Sequence, residues 1–153
     1  MKKYLPISLC FLVLGLGTVC CAGATEVEIT SPADGDTVSM IGEDIEGTSK
    51  DIPEGYELWI MVYPDGVNRF YPQDKRDLPL IPMANGDWTA EAIIGSDPDH
   101  GLEFKLYAVL ANETANTEIL DYLDRSREAG SWDGLEQLPD GAEIYDYVTV
   151  IRE

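Results

Sequence analysis

The sequence predicts an all-β protein, a sandwich of two sheets with one α-helix inserted before the last strand. Three observations support this prediction. Most of the chain after residue 25 alternates apolar and polar residues with the period of two that is typical of strands. Turns rich in Gly, Pro, Asp and Asn divide these runs into about seven short strands. A single segment near residues 116–129 has its apolar residues at helical spacing.

The strand boundaries follow from the turns. We predict strands at 27–30, at 37–47 as one strand or two short ones, at 56–63, at 67–71, at 88–94, at 103–111 and at 143–151. Pro64-Asp65-Gly66 is a turn sequence, so residues 67–71 are predicted to form a hairpin with residues 56–63. The stretch 72–82 contains three prolines and is predicted to be an edge or a loop.

The helix has recognisable start and stop signals. Asn116 or Thr117 suits the N-cap, and Gly130 suits the end. Ile119, Leu120 and Leu123 would form its apolar stripe.

Composition excludes several functions. The 153 residues include 29 Asp+Glu against 10 Lys+Arg, so the formal net charge is −19. Such a polyanion repels phosphate backbones, and we expect no nucleic-acid partner. One His and three Cys do not supply a four-ligand His/Cys zinc site of the usual kind.

The first 24 residues have the three parts of a secretory signal peptide: basic Met1-Lys2-Lys3, an apolar stretch at 5–19 and the cleavage pattern Ala22-Gly23-Ala24. We expect their removal, a mature domain of residues 25–153 and a secreted or cell-surface location. The apolar stretch is short for a permanent span. Membrane contact is therefore expected only through the signal peptide or, as the competing hypothesis, through a lipid anchor on Cys20 or Cys21. Cleavage would leave no cysteine, so the mature domain would rely on its core alone.

The opening VEITSPADGDTV, followed by an apolar strand and Glu46-Gly47-Thr48, resembles the start of bacterial and archaeal immunoglobulin-like surface domains. The segments 55–64, 85–88 and 101–111 are similar in spacing to the middle strands of that class. The resemblance covers most of residues 26–112 and implies an immunoglobulin-like sandwich that spaces or binds something at the cell envelope. The helix, and the lack of cysteines for an inter-sheet disulfide, depart from antibody domains.

The predicted strands 56–63 and 103–111 are apolar on both faces. A strand with one face in water would need only one apolar face. As neighbours, they would present a second apolar face that contains Trp59, Tyr63 and Tyr107. Under one interpretation the helix covers this face. The hydrophobic effect favours this interpretation, because burying each large apolar side chain stabilises the fold by about 1.5–3 kcal/mol. Under the other, these three residues form an exposed stacking platform for sugars or a protein partner.

Other candidate residues lie in turns. Two acidic turns, at 34–36 and 97–101, could supply oxygen ligands for calcium from Asp34, Asp36, Asp97 and Asp99. Neither turn has the full twelve-residue calcium loop, and clustered aspartates in turns are commonly solvated. We therefore expect no cofactor, with calcium as the alternative. His100 lies in a turn without a nucleophile motif and is expected to be exposed. Asn112-Glu113-Thr114 makes Asn112 a candidate glycosylation site.

The function expected from the sequence is non-enzymatic: an exported surface or secreted module that binds or spaces at the cell envelope, with an extracellular protein or glycan as partner. Two alternatives remain open. One is a small secreted glycoside hydrolase that uses two carboxyl groups. The other is a calcium-stabilised carbohydrate-binding module.

Overall fold

The computed structural model describes residues 23–73 and 79–153. The lipid-anchor hypothesis at Cys20 and Cys21, and most of the predicted signal peptide, lie outside these residues. The described chain forms the elements β1 (Glu26–Ser31), β2 (Thr37–Val38), β3 (Ile41–Lys50), β4 (Glu57–Pro64), β5 (Tyr71–Gln73), β6 (Asp87–Ile93), β7 (Glu103–Ala111), α1 (Glu113–Ala129) and β8 (Ala142–Arg152). A single 3₁₀ turn, Asp97–Asp99, precedes β7.

The strands form two sheets. One has the order β1-β3-β6, and the other has the order β2-β8-β7-β4-β5. All neighbours are antiparallel except β2, which runs parallel to β8. The three-stranded sheet thus consists of β1, β3 and β6, and β8, β7 and β4 form the middle of the five-stranded sheet. The predicted all-β sandwich with one helix before the last strand is confirmed, and so is the pairing of β4 with β7.

The main core lies between the sheets, where alternate residues of each strand point inward. Trp88 of β6 is one of its largest side chains and is buried against Gly47 of β3. A Cβ at position 47 would stand 1.9 Å from Trp88 Cζ2 and 2.3 Å from the carbonyl oxygen of Glu28. The glycine therefore makes room for the indole ring.

A second core lies on the outer face of the five-stranded sheet, beneath α1. Its buried residues are Trp59, Met61, Val109 and Ala111 from the sheet and Ala115, Ile119, Tyr122 and Leu123 from the helix. The helix follows β7 almost directly, so it folds back over the strand that it leaves. Leu120, predicted to belong to the buried stripe, is only partly buried.

The helix begins earlier than predicted. Its N-cap is Asn112, whose Oδ1 accepts a hydrogen bond from the Ala115 N–H at 3.0 Å, and neither Asn116 nor Thr117 caps it. Asn116 lies in the helix and directs its side chain to the sheet. Gly130 ends the helix in the left-handed conformation with φ 65°, as predicted.

The predicted hairpin partner of β4 is displaced. Residues 67–69 are not a strand, and the strand that follows β4 and pairs with its free edge is β5, so the prediction of a strand at 67–71 is wrong. Asn68 has φ 56°, which interrupts an extended run, and the backbone of Phe70 pairs with Leu135 in the loop after α1. The hairpin partner of β4 therefore begins later than predicted, and the connection before it makes a long-range contact. β5 lies at the sheet edge, where the missing N–H of Pro72 is tolerated.

The described chain enters and leaves the sandwich at opposite ends. Thr25 Oγ1 donates to the carbonyl of Asp51, which follows β3. This hydrogen bond lies at the end of the sandwich that contains the first residue of β4 and the last residue of β7. The carbonyl of Arg152 accepts from the Gly101 N–H, near the start of β7. None of the described helices is long and apolar enough to cross a membrane.

Candidate functional site

The outer face of the five-stranded sheet has two parts. The part nearest the start of β4 lies under α1 and contains the fully buried Trp59 and Met61. The other part carries Tyr63 on β4 and Tyr107 on β7, whose side chains are only partly buried, with Tyr107 packed against the edge of the core beneath the helix. The residues that the sequence grouped as one platform therefore lie in different environments.

Trp59 belongs to the covered part. Its side chain is 0% exposed, and its Nε1–H donates to Asn116 Oδ1 at 2.9 Å. The interpretation that the helix covers this face describes Trp59 correctly. An exposed stacking role for Trp59 does not agree with this placement, because the helix occupies the space over its ring.

Four aromatic residues beside the covered part are linked by ring contacts, Tyr147 through Tyr107 alone, and we call them the aromatic strip: Tyr63, Phe70, Tyr107 and Tyr147. The ring centroids are 4.8 Å apart for Tyr63–Phe70, 5.7 Å for Phe70–Tyr107, 5.9 Å for Tyr63–Tyr107 and 5.6 Å for Tyr107–Tyr147. The rings are tilted rather than stacked, an arrangement that aromatic pairs favour. Tyr147 is 54% exposed, and the other three are half-buried.

Backbone pairing holds the strip in place. Tyr107 and Tyr147 are directly opposite each other in the β7–β8 ladder, on the face that also carries Tyr63. Phe70 is fixed by its two backbone hydrogen bonds to Leu135. The strip therefore crosses three adjacent strands on a rigid sheet.

Polar groups border the strip. The Tyr63 hydroxyl donates to Asn68 Oδ1 at 2.9 Å. Lys105 Nζ lies 5.9 Å from the ring centroid of Tyr147, and the ion pairs of the described residues involve Lys50, Arg69 and Arg127 but not Lys105. Burial raises the pKa of the Tyr107 phenol, an effect that nearby Lys105 opposes and the neighbouring tyrosines reinforce.

Sequence reasoning placed Tyr63 and Tyr107 correctly on one face but missed Phe70 and Tyr147 as their partners. The alternation of Val148 and Val150 toward the core would have put Tyr147 on the outer face. A bulge in the β7–β8 pairing, however, sends Tyr145 to the inter-sheet core. Counting by two along the strand would have placed Tyr145 and Tyr147 together.

The acidic turns do not converge on a metal site. Asp34 accepts from the Thr149 N–H, Asp36 from the Ala33 N–H, and Asp99 from the backbone and hydroxyl of Ser96. Asp97 is exposed. In residues 23–73 and 79–153, no three His, Cys, Asp or Glu side chains form a group that could hold a metal ion. Asp36 and Asp99 therefore stabilise their own turns, and Asp34 ties its turn to β8.

The other two candidates are placed as follows. His100 is exposed at the end of the 3₁₀ turn, as expected. Asn112 is half-buried, and besides capping α1 its amide lies against Gly141, where an added Cβ would come within 2.1 Å of Asn112 Nδ2. Its side chain is thus part of the junction between α1 and β8, and glycosylation there stays a prediction.

Two open clefts lie away from the strip. One of about 510 Å³ is bordered by residues 49–58 and 82–86, and one of about 640 Å³ runs beside β1. A glycosidase general acid needs a raised pKa, which burial commonly provides. Ser126 is the only buried polar or charged side chain among the described residues, so no described carboxyl group is buried in either cleft.

Comparison with known proteins adds no assignment: no family model and no curated protein sequence matches this chain. Membership of the immunoglobulin-like surface domains therefore stays a prediction that rests on the turn sequences.

Proposed function

We propose that this protein is an exported, non-enzymatic binding module whose contact surface is the aromatic strip. The observation that carries the proposal is the position of Tyr147, a large ring that is 54% exposed and in contact with Tyr107, which in turn contacts Tyr63 and Phe70. Tyrosine and tryptophan dominate the energetics of binding surfaces, because they supply large contact area at little cost in conformational entropy.

Two further features support a binding role over catalysis. The described residues offer no buried carboxyl group for acid catalysis, and the aromatic strip is a surface rather than a cleft. The predicted signal peptide and the absence of cysteine after residue 24 suit an extracytoplasmic location.

The experiment begins with the full chain expressed in a secreting host. Intact mass should show an exported protein that starts at Thr25, or one that carries lipid on Cys20 or Cys21. Binding is then measured by cosedimentation with the insoluble envelope fraction of the producing cells. The wild type should cosediment, and Tyr147→Ala should bind at least about tenfold more weakly, because truncating an aromatic side chain that anchors an interface costs about 2 kcal/mol.

Ile93→Ala is the matched control. Ile93 has a similar exposure, 58%, but lies in the three-stranded sheet. Its truncation should leave binding unchanged, and Tyr147→Phe, which keeps the ring, should bind nearly as the wild type does. Equal binding by wild type, Tyr147→Ala and Ile93→Ala would refute the strip as the contact surface. Recovery of the protein only inside the cell with residues 1–24 attached would refute export.

A further inference from the structure

We infer that the ligand of the aromatic strip is an uncharged glycan chain that lies across strands β4, β7 and β8. The inference rests on the proposed function and adds the chemical class of the partner. It follows from the shape of the strip, the groups that border it and the charge of the whole chain.

The shape favours an extended ligand. The contacts Tyr63–Tyr107 and Tyr107–Tyr147 run across three neighbouring strands, which corresponds to about 10 Å of aromatic surface at the usual strand spacing. The strip lies on the face of a sheet and not in an enclosed cavity, so it does not surround a small molecule as a typical small-molecule site does. A polymer that lies flat on the sheet would contact the whole strip.

The bordering groups favour a ligand that carries hydroxyl groups beside its apolar faces. Asn68 accepts from the Tyr63 hydroxyl through Oδ1, which leaves its two amide hydrogens as donors. The Lys105 ammonium supplies further donors beside Tyr147. A sugar ring presents C–H groups to an aromatic face and hydroxyl oxygens at its edge, and so matches both parts of this surface.

The charge of the chain disfavours the charged competing occupants. A net charge of −19 repels polyanionic glycans, and it also repels a second copy of the same chain. A basic peptide would be attracted by the net charge, but its cationic side chains would meet Lys105 at the strip itself. A neutral polymer avoids both penalties.

The test is affinity electrophoresis of the exported protein in native gels. Because the protein is strongly acidic, it migrates toward the anode, and an uncharged polysaccharide fixed in the gel retards only molecules that bind it. The probes are hydroxyethylcellulose, mixed-linkage β-glucan, galactomannan, and the neutral polysaccharide fraction extracted from the envelope of the producing cells. At least one should retard the wild type and Ile93→Ala equally. Tyr147→Ala should lose at least tenfold in association constant, and Lys105→Gln should bind several-fold more weakly.

The outcomes separate the inference from the proposed function. If no neutral polysaccharide retards the wild type, or if Tyr147→Ala is retarded equally, the glycan assignment is overturned. If Tyr147→Ala loses envelope binding while protease treatment of the envelope also abolishes it, the partner is a protein. In that case the inference fails and the binding function stands. Binding of a neutral proline-rich peptide at the strip without glycan binding would likewise overturn the inference alone.

Discussion

Replacing Ile119 with alanine tests whether α1 seals the outer face of the five-stranded sheet. Ile119 is 0% exposed and belongs to the core that buries Trp59 and Met61. The substitution removes three carbon atoms from this core. At about 0.8 kcal/mol for each buried methylene, the loss of transfer free energy is about 2.4 kcal/mol. The cavity left behind raises the expected loss in free energy of unfolding to about 3–4 kcal/mol.

The assay is urea unfolding followed by circular dichroism and by tryptophan fluorescence. Glu118→Ala is the matched control, because Glu118 is the preceding residue of the same helix and is exposed. Both substitutions introduce alanine, so their effects on intrinsic helix propensity are similar. The control should change the free energy of unfolding by no more than about 0.5 kcal/mol. The slope of free energy against urea should stay constant in both variants.

A loss of less than about 1 kcal/mol in Ile119→Ala, indistinguishable from Glu118→Ala, would refute the reasoning, because full burial of a branched side chain predicts more. Trp59 would then lie beneath a loosely attached helix. The distinction between the covered part of the sheet face and the partly exposed part would then also be wrong.

Two other predictions concern the inter-sheet core and the pH dependence of stability. Gly47→Ala should lower the free energy of unfolding by about 3 kcal/mol in urea titrations, because the new Cβ meets the Trp88 ring and the Glu28 carbonyl. A loss below about 1 kcal/mol would contradict the packing described. Since burial raises the pKa of Tyr107, the unfolded chain ionises first above about pH 10, so stability should fall as the pH rises from there. Tyr107→Phe should make this fall shallower, and an identical fall would argue against burial as its cause.

Much of the fold could be predicted because its determinants are local. The alternation in β4 and β7, apolar on both faces, indicated buried neighbouring strands with a covering element. The change from period two to helical spacing near residue 116 indicated α1, and Gly130 marked its end. These patterns depend on residues within one or two turns of each other, so they can be read without knowledge of distant contacts.

Other features depended on distant partners. The backbone of Phe70 pairs with Leu135, 65 positions along the chain, and this displaced the predicted hairpin strand. Asn112 is the helix cap in place of Asn116, whose side-chain oxygen accepts a hydrogen bond from the Nε1–H of Trp59. No local spacing distinguishes these asparagines, because the choice depends on where the helix docks on the sheet.

The sequence by itself determined that two apolar sheets would stack, that a helix would precede the last strand, and that Tyr63 and Tyr107 would share a face. Only the tertiary structure decided how far the helix reaches over that face. Its docking buried Trp59 completely and left the side chains of Tyr63, Tyr107 and Tyr147 partly in solvent. The physical reason is that side-chain periodicity specifies the face on which a residue lies, whereas the exposure of that residue depends on the element packed above it.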